Sequence, residues 1–253
     1  MLITKPSGEF AILSPFAITA FPAYMGKKRG ARRKRDYCQT LIHFIYSEKF
    51  RGNEKLREEI LNIPSPREVE KRQRMLSNEG MARQDWEMVR EAVIECGIRF
   101  VVSTFHEAYA LLEVGEQPIT YQSNTNNELG NSGINLYGHA LEKVRSKIQG
   151  NSFVRVALLG ETPDKSQTEK LTNLFSKSRP DFVSYNPDNP EFENFALEWI
   201  QENYAVPMEM PETIRPGMMT HAVIFGEKAD QAVIERAMSL HGMGVKTRII
   251  GKT

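Results

Sequence analysis

Cysteine and tryptophan are scarce in this 253-residue chain, with two of each. Cys38 and Cys96 have no metal-ligand spacing and are too few for a disulfide framework, so neither a zinc site nor a stapled secreted scaffold is expected. No apolar run approaches the 18 to 20 residues of a membrane span. The apolar N-terminal stretch Phe10–Ala23 is broken by Pro15 and lacks a charged leader, so no signal peptide is expected. A cytoplasmic, membrane-free protein is the expectation. No internal repeat or low-complexity tract intrudes. At 40% hydrophobic and 26% charged residues, the chain has the composition of a soluble globular protein with a sizeable core.

Net charge is also nearly absent, at +1, but it is unevenly spread. Residues 27–35 read KKRGARRKR; setting those seven cations aside, the 33 basic residues fall to 26 against 32 acidic, a balance of about −6. Such a run is a solvated loop or a phosphate-gripping arm, since guanidinium groups bind phosphates bidentately. Arg32, Arg33 and Arg35 are its candidate ligand contacts, and docking of an acidic protein partner is another use. Phe21, Tyr24 and Tyr37 flank the run without interleaving it, so nucleic-acid binding is a minor reading.

Two rhythms divide the chain. Residues 1–150 are mostly helical: Ser65-Pro66-Arg67-Glu68 is a helix start with serine as cap, and Asp85 precedes an apolar helical face at Trp86, Val89 and Val93 that is expected to stop at Gly97. Thr104 and Glu107 frame another helix up to Gly115, Ile119–Gln122 reads as a short strand, and Leu136–Ile148 closes the region. In residues 151–253, buried-type strands such as FVRVALLG alternate with helices of 12 to 16 residues, which implies parallel β-α-β units. The expected architecture is a helix-rich α+β domain followed by a small α/β Rossmann-like three-layer sandwich of four or five strands, joined near 149–152.

Within residues 10 to 148 the ordered set Arg74, Asp85-Trp86, Arg90, Phe100, Gly115 and Gly133-Ile134-Asn135-Leu136-Tyr137-Gly138, with Leu141 and Arg145, resembles the NADAR family. That resemblance implies an ADP-ribose or nucleotide ligand. It also implies an N-terminal motif Y-x-T-V-E-H-x-Y-Q-A-x-K-F, which aligned on Lys49-Phe50 keeps His43 but puts Ile42 in place of the glutamate and Tyr46 in place of the glutamine. The later motif S-x-x-D-x-x-W-G maps onto Ser123, Asn126, Leu129 and Gly130, and Tyr121 stands where another glutamate is frequent. N-glycosidic cleavage needs a carboxylate beside an oxocarbenium-like transition state, and proton transfer alone is worth roughly 10² to 10⁴-fold. Isoleucine supplies neither, so turnover is expected to be poor unless His43, Glu48 or Glu128 takes over from a new position. His43 reads equally as a core histidine, and Glu48 and Glu128 as solvated residues.

The ligand-binding candidates in this half are therefore Arg32, Arg33, Arg35, Tyr46, Arg74, Trp86, Tyr121, Ser123, Asn126, Gly130, Gly133 and Asn135. Residues 124–135 offer glycine and asparagine for close backbone approach to a phosphate, or simply a turn. The second half resembles, more weakly, the SLOG superfamily of Rossmann-like nucleotide-binding domains. Its strand ends place Gly160, Thr162, Ser166 and Gly226 as a candidate pocket, although Gly160–Ser166 is neither G-x-G-x-x-G nor a P-loop. No cofactor and no metal are expected. Met208, Met210, Met218 and Met219 read as an adaptable interface or as core filling. The functional expectation is binding of an ADP-ribose, NAD-derived or related nucleotide without efficient turnover. An active N-glycoside hydrolase and an interaction module with both sites inactive are the alternatives.

Overall fold

The structure is a computed structural model and describes residues 2–3, 10–23, 36–123, 128–130, 135–227 and 230–251. The chain divides into two compact units, Met1–Ser152 and Phe153–Thr253. Among the described residues no helix is long and apolar enough to cross a membrane.

Unit 1 is helix-rich. Its strands are β1 (Leu2–Ile3), β2 (Phe21–Ala23), β3 (Asp36–Cys38) and β4 (Thr120–Tyr121), and its helices are α1 (Leu41–Lys49), α2 (Glu54–Asn62), α3 (Pro66–Asn78), α4 (Trp86–Thr104), α5 (His106–Glu113) and α6 (Leu136–Gln149). The strands form two small pairs, β1 parallel to β4 and β2 antiparallel to β3. The centre is α1, whose nine residues are all buried as it packs against α2, α3 and α4. Phe21, Phe44 and Phe100 tie β2, α1 and α4 together, with ring centroids 5.6 to 6.1 Å apart.

Gly97 does not end its helix. α4 runs through it to Thr104, because this glycine sits where α1 presses closest: a Cβ there would collide with Leu41 and Phe44. The helix breaks at Phe105, which is extended. Ser65 holds the extended cap position before Pro66, but its side chain makes no capping bond, so the helix start rests on proline geometry and on Glu68 in the first turn.

Unit 2 is a parallel sheet of five strands in the order β7-β6-β5-β8-β9: β5 (Arg155–Gly160), β6 (Phe182–Tyr185), β7 (Val206–Glu209), β8 (His221–Phe225) and β9 (Lys246–Ile250). The helices α7 (Lys165–Leu174), α8 (Pro190–Glu202) and α9 (Gln231–Gly242) connect them. Val156, Ala157, Leu158 and Leu159 are all buried, as a central strand covered on both faces requires. Asp164 and Gln167 form a reciprocal capping box at the start of α7, while Asn189 caps α8 ahead of Pro190. Met219 belongs to the buried core with Ala222, Ile224 and Leu240, and Met210 packs against it, so these two methionines fill the core.

Candidate functional site

A polar cluster is buried inside unit 1. α1 projects Tyr46 and Lys49 from one side, three residues apart. The Lys49 ammonium donates to a Glu128 carboxylate oxygen at 2.9 Å and to the Gln73 side-chain oxygen at 3.1 Å. It also lies 5.6 Å from the centre of the Trp86 ring and 5.8 Å from that of Tyr46, within cation–π range. The other Glu128 oxygen accepts the Trp86 indole N–H at 2.9 Å. One carboxylate is thereby oriented through both oxygens by groups from two helices, α1 and α4.

Tyr46 is fully buried, and its hydroxyl has no hydrogen-bond partner among the described residues. Burial, reinforced by the negative charges of Glu128 and Glu70, pushes its pKa well above the ordinary phenol value, while Arg74 pulls weakly the other way. The phenol therefore stays protonated and offers an O–H to whatever acceptor approaches. An unmet buried hydroxyl costs on the order of 1–3 kcal/mol, which marks it as a group that structure alone does not require. Glu70, buried on α3, has the half-exposed Arg74 guanidinium 3.9 Å away.

Tyr121 stands at the end of β4 with its ring edge-on to Tyr137, centroids 5.2 Å apart. Gly130 lies against it so closely that a Cβ would meet both the Tyr121 ring and its carbonyl, and the Gly130 carbonyl accepts the Ser123 N–H at 3.3 Å. Glycine here serves close backbone approach within the protein. Asn135 is likewise a strut: its amide accepts from Tyr121 N–H at 2.8 Å and donates to the Ile119 carbonyl at 2.7 Å. Both ends of the amide are thus engaged at β4 and the residue before it.

The structure thus gathers Tyr46, Arg74, Trp86, Tyr121 and Glu128 around one polar centre and adds Lys49, Glu70 and Gln73, which the sequence reading left out. Their signal is partly local: Glu70 and Gln73 fall with Val69 and Leu76 on the buried side of α3, at positions where apolar residues would have sufficed. Two catalytic candidates move the other way. His43 donates from Nε2 to the Ile63 carbonyl at 2.8 Å, which leaves Nδ1 to accept from the Thr40 hydroxyl, also at 2.8 Å. Burial lowers its pKa, so the ring is a neutral core histidine with both nitrogens engaged. Glu48 is buried beneath Arg57 at 2.9 Å and Arg51 at 3.7 Å, an ion-paired contact between α1 and α2. Ile42 is wholly buried. Arg32, Arg33, Arg35, Asn126 and Gly133 lie outside the described residues.

Both cysteines are buried, and burial pushes the Cys96 thiol up to about 12, far from a reactive thiolate. Among the described residues no group of three or more His, Cys, Asp or Glu side chains is placed to hold a metal ion.

In unit 2 the strand-end crevice is stitched by the protein's own groups. Gly160, at φ +98°, lies directly on the Phe225 carbonyl, and the next N–H, of Glu161, donates to that carbonyl at 3.1 Å. Gly226 N–H and the Gln167 amide both reach the Ile250 carbonyl, at 3.4 and 2.7 Å. The first turn of α7 already receives the Asp164 carboxylate on Gln167 N–H at 2.8 Å. An anionic phosphate would face that carboxylate, so the helix terminus beside Ser166 is ill suited to the phosphate role expected of it. The Thr162 hydroxyl is buried and has no partner among the described residues.

No family model matches the chain. No curated protein matches it either. Among solved structures it is similar to the NMR structure of the E. coli protein YbiA, at 22% identity and a TM-score of 0.49, over 60% of this chain and 86% of that one. A similarity of this size transfers no residue roles.

Proposed function

We propose that unit 1 binds a small nucleotide-type ligand of the ADP-ribose or NAD-derived class at the Tyr46–Lys49–Trp86–Glu128 cluster, with little turnover. The observation that carries the reading is the Glu128 carboxylate, held on both oxygens beside the buried Tyr46 hydroxyl, which has no partner among the described residues. A carboxylate engaged by an ammonium and an indole N–H is a fixed, negatively charged hydrogen-bond acceptor, not a free base. Tyr46 supplies a donor, and the half-exposed Arg74 supplies a cation for a phosphate. The choice of nucleotide chemistry rests on the sequence resemblance to the NADAR family.

A working N-glycoside hydrolase is the second reading, favoured by the convergence of two carboxylates, Glu70 and Glu128, on Tyr46 next to a lysine amine. These group types serve acid–base and nucleophilic chemistry elsewhere. Calorimetric titration of the full chain with ADP-ribose, run beside mass spectrometry for base released from an N-ribosyl substrate, separates the readings. Saturable binding with only trace release, weakened by Tyr46→Phe, is the expected result. Brisk release that is lost in Glu128→Gln establishes the hydrolase, and absence of both binding and release overturns both.

A further inference from the structure

The sheet of unit 2 runs β7-β6-β5-β8-β9, which puts β9 at one margin. Among the described residues of the unit, no strand pairs with the outer edge of β9. The Lys246 N–H donates to the Thr220 carbonyl and the Ile250 carbonyl accepts from Gly226, so Lys246 and Ile250 direct their backbone groups toward β8. Alternation along a parallel ladder then directs the N–H and C=O of Thr247 and Ile249 outward.

Beside that edge lies an open groove of about 670 Å³, lined by Ile234, Ala237, Met238 and His241 of α9 and by Thr247, Arg248 and Ile249 of β9. The helix residues fall at i, i+3, i+4 and i+7, a single stripe. Val233, Ala237 and Leu240 already pack on the core, so the apolar arc of α9 is wider than its own sheet covers, and Met238 is left 69% exposed. The groove carries no carboxylate: its chargeable linings are Arg248 and His241, with exposed Lys246 next along the strand.

We infer that this edge accepts an extended, acidic segment of a partner protein as a sixth strand. The outward amides supply main-chain pairing, the stripe from Ile234 to Met238 supplies pockets for alternate apolar side chains, and Arg248 and Lys246 select carboxylates. A second copy of this chain fits the same edge poorly. Antiparallel pairing of β9 with itself sets Arg248 opposite Arg248 or Lys246, and like charges directly opposite are destabilising. Cations on an edge strand also guard against self-association, which is consistent with an edge reserved for an oppositely charged partner.

Two labelled heptapeptides, one alternating Val with Glu and one alternating Val with Lys, test this by fluorescence anisotropy on the full chain, with site-resolved amide exchange. The Val/Glu peptide should bind saturably at low salt and slow exchange at Thr247 and Ile249 while leaving the inward-facing Arg248 amide unchanged. Arg248→Glu should weaken binding roughly tenfold, the scale of a surface ion pair turned repulsive. Met238→Glu, at an exposed position the fold does not depend on, should weaken it as well. Equal affinity for the Val/Lys peptide, absence of saturable binding, or protection elsewhere than β9 overturns the inference.

Discussion

The two units handle buried polarity in opposite ways. Unit 2 buries a largely apolar parallel sheet and engages several strand-end groups internally, Gln167 on Ile250, Glu161 on Phe225 and Asp164 on Gln167, while the buried Thr162 hydroxyl has no partner among the described residues. Unit 1 buries ionic groups in two places. In one, Glu48 pairs with Arg57 and fastens α2 to α1. In the other, Lys49, Glu70, Gln73 and Glu128 surround a tyrosine hydroxyl that nothing described satisfies. Buried ion pairs are weak stabilisers compared with well-packed apolar groups. A polar centre that leaves a donor unmet among the described residues is the feature the proposed ligand addresses; the buried Asp181 carboxylate of unit 2 is by contrast engaged by the Val154 N–H.

The contrast can be broken first at its ionic anchor. Arg57→Met leaves buried Glu48 short of its closest cation and should cost unit 1 about 3–5 kcal/mol. Hydrogen–deuterium exchange read peptide by peptide during denaturant titration should show the loss in residues 41–149 and not in 155–250; equal loss in both would mean that the units do not fold separately. Leu158→Ala, at a fully buried position of β5, is the converse. It should cost about 2–5 kcal/mol through lost burial and a cavity, confined to unit 2 on the same measurement.

Tyr46→Phe sharpens the functional side. Removing an unsatisfied buried hydroxyl should leave the thermal midpoint unchanged or raise stability by up to about 1 kcal/mol, while weakening an ADP-ribose-type ligand. Lower stability would reveal a partner for the hydroxyl and remove the argument for a ligand. The smallest effect concerns pH. The folded pKa of His43 is depressed by burial, so the unfolded chain takes up the proton first, and stability should fall as pH drops below about 6.5 until the folded ring titrates. His43→Gln can donate to Ile63 and accept from Thr40, and it should flatten that slope in unit 1. His221 in unit 2 is shifted the same way by burial and by Lys246, so a residual slope there is expected in the variant.

Much of the architecture could be read from local signals. Pro66 after Ser65, Asp164 three residues before Gln167, and Pro190 after Asn189 all mark real helix starts, and the continuous apolar run of β5 announces a parallel sheet. Gly97 misled because glycine serves two purposes, ending helices and letting helices touch, and only the position of Leu41 distinguishes them. The polar centre was half legible. Tyr46, Trp86 and Glu128 were singled out, but nothing local says that Lys49 bonds a residue 79 positions away. Asn135 looked like a ligand group for the same reason it makes a good strut: its amide has a donor and an acceptor at fixed spacing, and β4 uses both.

The wholly buried α1 has a consequence for measurement. A helix without a solvent face frays little, so its amide hydrogens should exchange only when unit 1 opens as a whole. A ligand held by Tyr46 and Lys49 stabilises the closed form by mass action and slows that opening. The exchange rate of Leu41–Lys49 is then a built-in occupancy meter, readable in the unlabelled protein before any ligand has been identified by name.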